Sequence, residues 1–177
     1  MPSVTQQRNI PEAMCSLSGM DCPDYIDLFS VTTDGAADTS PEQWACTAIE
    51  AVAGLGGQFI WRGVLGLRLD SRPSTERVAG WKIAERGPNW IRLEASSWFL
   101  TAHLVTRLDD EHLSVGTFIR YHLPIAALIW VPASAVHRRL MPGLLHQTVR
   151  LQTRDSKRGV HSRDAANPAR ARRDKRR

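Results

Sequence analysis

From Arg77 to His122 apolar and polar residues alternate through four successive segments with no helical break, and straight afterwards comes one long helical pattern, Leu123 to Leu151. A period of two, interrupted only by turn residues, describes an antiparallel meander with one solvated face. A helix that follows it needs an apolar surface to cover. The pair predicts an α+β domain: a curved antiparallel sheet wrapped around a long C-terminal helix, with room between them for a small apolar ligand.

Within the meander, Ala79, Trp81 and Ile83 share a face, followed after Arg86-Gly87-Pro88 by Ile91 and Leu93. Trp98, Leu100, Ala102, Leu104 and Thr106 come next, then the Asp109-Asp110-Glu111 turn, then Leu113, Val115, Thr117, Ile119 and Tyr121. The other face carries Arg92, Glu94, Thr101, His103, Arg107, Ser114 and Arg120, so His103 and Arg120 are expected at the surface. The final helix should open at Pro124, a favoured first-turn residue. At about 100° per residue, Ile129, Ala133, Val136, Leu140, Leu144 and Leu151 fall on one stripe with Gln147, and Arg138 lies opposite, toward water. Pro132 and Pro142 each remove a helical hydrogen bond, which predicts a kink or a break.

Upstream, residues 1–22 show no defensible period and read as an irregular arm. Asp24 to Thr33 suits a strand with Tyr25, Asp27, Phe29 and Val31 in one row. Asp34-Gly35 turns the chain into a short amphipathic helix capped by Ser40, with Pro41 and Glu42 in its first turn and Trp44, Ala48, Val52 and Leu55 as its stripe. It should end at Gly54 or Gly56-Gly57. Residues 58–69 fit either a helix (Ile60 with Val64, Trp61 with Leu65) or a strand (Phe59, Trp61, Leu65, Leu67, Leu69), and a second short helix is preferred. Asp70 to Glu76 reads as an exposed loop.

Charge divides the chain. Arg154 to Arg177 holds ten Lys/Arg against three Asp/Glu and no large apolar residue after Val160, so the expected organisation is an arm over 1–22, a folded domain over 23–152 and a disordered basic tail over 153–177. That tail could meet phosphates of nucleic acid or an anionic membrane, or serve as a solubilising extension. No aromatic residue interleaves with its cations, which argues against stacking on single strands. With 42% apolar and 23% charged residues the rest has the composition of a protein that buries a core. Cys15, Cys22 and Cys46 show no C-x-x-C spacing and are read as free thiols. A mostly polar N-terminus and no apolar run of spanning length lead to an expectation of a cytoplasmic protein.

The order of a strand, two short helices, a meander and a long C-terminal helix resembles the helix-grip fold of the START-like or polyketide-cyclase-like (SRPBCC) superfamily. Several phrases are similar to an uncharacterised bacterial branch of it, sometimes fused to short-chain dehydrogenase-like domains. They are Asp24-Tyr25-Ile26-Asp27-Leu28-Phe29, Gly80-Trp81 with Ile83-Ala84-Glu85, Thr117-Phe118-Ile119-Arg120, and His137-Arg138, spanning roughly residues 22 to 150. The chain departs from that branch at Ser96-Ser97-Trp98-Phe99 and at Ile125-Ala126-Ala127-Leu128, where apolar residues replace polar ones, so no catalytic residue is carried over. The resemblance implies binding or carriage of a small apolar or lipid-like ligand, or a cyclase, dehydratase or isomerase on the same scaffold.

Polar side chains on the apolar faces are the candidates to orient such a ligand: Thr106, Thr117 and Tyr121 from the sheet, and His137 and Gln147 from the helix, with Met141 beside them. Glu85 could join at the end of its strand. Trp61, Trp81, Trp98 and Trp130 could line a cavity or pack as ordinary core. His137 and Tyr121 are the candidate acid/base groups, although the positions three and four residues from His137 hold Ala133, Ser134, Leu140 and Met141 and supply no carboxylate to orient it. The histidines show no metal-ligand spacing and Gly54-Leu55-Gly56-Gly57 lacks a nucleotide-binding fingerprint, so neither a metal nor a cofactor is expected.

Overall fold

The alternating segments become strands because each has one row to bury and one to hydrate. A computed structural model of the chain describes residues 3–33, 39–52, 59–70, 72 and 74–166; the side chains of 50–52 and 155–166 lie outside that description. In order come β1 (Val4–Gln7), α1 (Glu12–Ser18), β2 (Tyr25–Thr32), α2 (Pro41–Val52), a π-helical turn (Phe59–Val64), β3 (Arg77–Val78), β4 (Trp81–Arg86), β5 (Trp90–Ser96), β6 (Leu100–Leu108), β7 (His112–Tyr121) and α3 (Pro124–Ala166). The strands form one antiparallel sheet in the order β1-β2-β7-β6-β5-β4-β3. This is the expected α+β architecture, a curved open sheet with short helices after its first long strand and a long helix laid against one face.

Register fixes what faces α3. Tyr25, Ile119, Ala102 and Ala95 lie side by side across β2, β7, β6 and β5. The next inward row is Asp27, Thr117, Leu104 and Leu93, and the one after is Phe29, Val115, Thr106 and Ile91. Two apolar clusters result on this face, one around Trp81, Ala95, Ala102, Ile119 and Trp130, the other around Phe29, Trp44, Val115, Met141 and Leu145. In the middle row only Asp27 and Thr117 are polar, and Leu104 and Leu93 belong with the first cluster.

Several sequence expectations are corrected. The described part of the expected arm, residues 3–22, is not irregular: β1 pairs with β2 from Val4↔Val31 to Gln7↔Leu28, and α1 covers the opposite face of the sheet. There Met14, Leu28, Val105 and Phe118 form a second small core, each side chain contributing about 1.5–3 kcal/mol by full burial, an upper estimate. His103, expected at the surface, is therefore buried, with its Nδ1 donating to the Ser18 carbonyl at 2.7 Å. Arg92 donates to the Leu17 carbonyl at 3.2 Å and pairs with Glu85 and Glu94, both at 3.1 Å. Cations at the carbonyl end of α1 suit its dipole. Arg120 is exposed, as alternation requires, and donates to the Asp21 carbonyl.

In α2, Ser40 Oγ accepts from Gln43 N at 3.2 Å while Gln43 Oε1 accepts from Ser40 N, a reciprocal cap. Trp44, Ala45 and Ile49 form its buried side. The ambiguity over residues 58–69 resolves at residues 59–64 into a π-helical turn, and the residues after it form no strand, although Leu65, Leu67 and Leu69 are buried. The expected ends of α2 at Gly54 or Gly56-Gly57 and the Asp34-Gly35 turn lie outside the described residues.

α3 opens at Pro124 and runs unbroken through Pro132 and Pro142. Its buried side is Ala126, Trp130, Ser134, Met141, Leu145, Thr148 and Val149, whereas Val136 and Leu140 are exposed. The stripe read from the sequence is thus rotated from the one that packs. The helix backbone continues to Ala166, so the stretch expected to be a tail falls partly within α3 and partly, from residue 167, outside the described residues.

Candidate functional site

β2 and α3 bring together side chains 110 residues apart in the chain, and the sheet register explains how. Asp27 shares its row with Thr117, and α3 crosses that row at His137. The Asp27 carboxylate is 3% exposed. Its Oδ2 accepts from the Tyr25 hydroxyl at 2.6 Å and lies 3.2 Å from His137 Nε2. Thr117 Oγ1 is 3.3 Å from the same nitrogen. The hydrogen bond of Nε2 goes to Thr117, and the carboxylate stands beside it at ion-pair distance. The His137 side chain is 24% exposed.

Tyr25 links the pair to a cation. Arg138 Nη1 donates to the Tyr25 hydroxyl at 3.1 Å and to Ser134 Oγ at 3.2 Å, and its guanidinium lies 5.9 Å from the centre of the Tyr25 ring. Trp130 meets Tyr25 edge-on at 5.3 Å and lies 5.8 Å from the His137 ring. Burial, then the hydrogen bond and charge of Asp27, push the Tyr25 phenol well above its usual range, so it stays a donor. The expectation that Arg138 points to water is corrected: it reaches back over the helix flank to the sheet.

Buried polar atoms of this cluster lack a protein partner. Asp27 Oδ1 is buried and unbonded, as are the indole nitrogens of Trp130, Trp81 and Trp44. An orphaned carboxylate oxygen is costly, and the usual remedy is a donor from water or ligand. Among the described residues no group of three or more His, Cys, Asp or Glu converges as a metal site would require.

The expected site residues divide accordingly. Thr117 and His137 meet. Thr106 is buried one inward row away, Met141 packs in the cluster beyond it, and Trp81 is buried edge-on to Trp61 at 5.7 Å. Tyr121 is half-buried; burial and then the charge of Asp24 raise its phenol. Trp98, by contrast, is 62% exposed at the β5–β6 tip, and Gln147 is exposed because α3 is rotated from the predicted stripe. Glu85 turns to the opposite face at a bulge after Ile83, where it pairs with Arg92. Sequence reasoning missed Asp27, Tyr25 and Arg138. The available signal was a carboxylate in the otherwise apolar row Tyr25, Asp27, Phe29, Val31.

The fold and site define a helix-grip-like α+β protein with a buried Asp–His pair between sheet and helix. No protein family matches the chain by its sequence profile, and a search of curated proteins finds no relative.

Proposed function

We propose that this protein binds a small, largely apolar molecule between the sheet and α3, and that Asp27 and His137 hold its polar end. The observation that carries this reading is the unpartnered, buried Asp27 Oδ1 beside the partly exposed imidazole. A charged acceptor with a free oxygen favours a ligand that donates, such as an alcohol, enol or amide, and disfavours a carboxylate. The surrounding apolar clusters would supply most of the affinity, at about 25 cal/mol per Å² before the costs of binding. START-like membership, inferred from the phrases around Asp24, Gly80, Thr117 and His137, is in keeping with this role. Calorimetric titration with a long-chain alcohol and the carboxylic acid of equal length tests it. Tighter binding of the alcohol is expected; equal affinities, or none for either, contradict the reading.

An acid–base enzyme of the cyclase, dehydratase or isomerase type is the second reading, and the 3.2 Å approach of Asp27 to His137 favours it. A carboxylate beside a partly exposed imidazole can steady the ring as the group that takes a proton from a bound substrate and returns it elsewhere. Mass analysis of molecules co-purifying with wild type and with His137→Gln separates the two. Different masses indicate turnover at His137; the same molecule in both indicates a carrier.

A further inference from the structure

Besides the face that packs on the sheet, α3 has a second apolar face. Ile125, Leu128, Val131, Val136 and Leu140 are spread over the half of the helix turned away from the sheet and are all exposed, Leu128 at 76% and Val131 at 62%. Single exposed apolar residues are ordinary, but several of them along one element make a surface with a use. Arg139 lies among them, and Arg150 and Arg154 continue the same exposed side toward the C-terminus. Between residues 112 and 154 the sequence has no Asp or Glu. At the other end stands exposed Trp98, next to the start of α3, where His122 N donates to the Phe99 carbonyl at 2.8 Å.

We propose that the outer face of α3, together with Trp98, docks on an anionic lipid bilayer. Leu128, Val131, Val136 and Leu140 enter the boundary between headgroups and acyl chains, and Arg139, Arg150 and Arg154 meet lipid phosphates. An apolar helix face bearing cations and no carboxylates is complementary to such a surface. Charge argues against a second copy of the chain, since pairing this face with itself would set cations against cations with no acid between them. The apolar face argues against nucleic acid, whose phosphates would use the arginines and leave the leucines and valines in water. None of these residues takes part in the Asp27–His137 cluster, so the proposal stands whether or not that cluster binds a ligand. No described helix is long and apolar enough to cross a membrane, so the contact is peripheral.

The test is flotation of the full-length protein with vesicles of phosphatidylcholine alone and of phosphatidylcholine mixed with phosphatidylglycerol. Wild type is expected to float with the mixed vesicles and to lose them at high salt. The double variant Leu128→Asp, Val131→Asp changes only exposed side chains and should partition roughly tenfold less or weaker still, since two apolar anchors become anions. Leu140→Asp alone should give a smaller loss in the same direction. Wild type that floats with neither vesicle overturns the proposal, as does a double variant that floats like wild type, which would leave the attraction to the basic residues alone. A wild-type dimer that the double variant converts to monomer, with no vesicle binding, would assign the face to a second copy. Binding to duplex DNA without vesicle binding would assign it to nucleic acid.

Discussion

Asp27 on β2 and His137 on α3 meet at 3.2 Å across the seam between the two halves of the inner core. The contact ties the sheet to the helix at the one row where apolar packing gives way to polar groups. Removing either partner leaves the other with unmet hydrogen-bonding capacity. Asp27→Ala deletes the acceptor for Tyr25 and the carboxylate beside His137 and should destabilise the protein by about 2 kcal/mol. His137→Ala should cost less, about 1 kcal/mol, because the imidazole is partly exposed and water can take its place. Urea unfolding of the two variants measures both; an unchanged midpoint for Asp27→Ala contradicts the geometry.

Tyr25 gives a pH prediction with a definite sign. Its phenol is held above the ordinary tyrosine value, so the folded protein keeps a proton that the unfolded chain releases near pH ~10. Stability from this group is fully present below that pH and is lost as pH rises above it. Alkaline unfolding should be shallower in Tyr25→Phe than in wild type above pH ~10. Identical alkaline profiles for the two proteins contradict the assignment.

The outer face of the sheet should be as sensitive as the inner one. A Cβ on Gly116 would sit 2.9 Å from the Phe118 ring and 3.2 Å from Met14 Cε. Gly116→Ala should therefore cost about 1–3 kcal/mol through overpacking. Met14→Ala, in a residue 2% exposed, should cost about 2–5 kcal/mol by leaving a cavity under α1. Thermal unfolding reports both, and neutral effects would mean that α1 does not pack on β6 and β7.

Ser40→Ala removes one half of the reciprocal cap on α2 and should cost about 1 kcal/mol. The same change at Ser16, whose hydroxyl only bonds back to the Glu12 carbonyl on an exposed helix face, should be close to neutral. Comparing the two by chemical denaturation separates capping from loss of a hydroxyl.

The meander and α2 were legible because their information is local. Alternation from Trp81 to Tyr121 names the inward row almost residue by residue, and Ser40-Pro41-Glu42 marks a helix start by its own chemistry. α1 was not legible, since a seven-residue helix burying only Met14 and Ser18 presents too few positions to establish a period. The orientation of α3 was misread for a different reason: with Leu128, Val136 and Leu140 outside and Trp130, Met141 and Leu145 inside, both faces are apolar and the periodic signal partly cancels. The site depends on contacts between β2 and α3 that no spacing rule along the helix could supply. His137 has no carboxylate at neighbouring helical positions; its carboxylate comes from the first long strand.

The most direct measurement is native mass spectrometry of the full-length protein and of Asp27→Asn, expressed and purified gently in parallel. The account predicts a small organic molecule bound to the wild type and lost, or far more easily stripped, when the carboxylate is replaced. Two empty proteins, or two proteins holding the same molecule equally well, would contradict the claim that Asp27 and His137 anchor a ligand between sheet and helix.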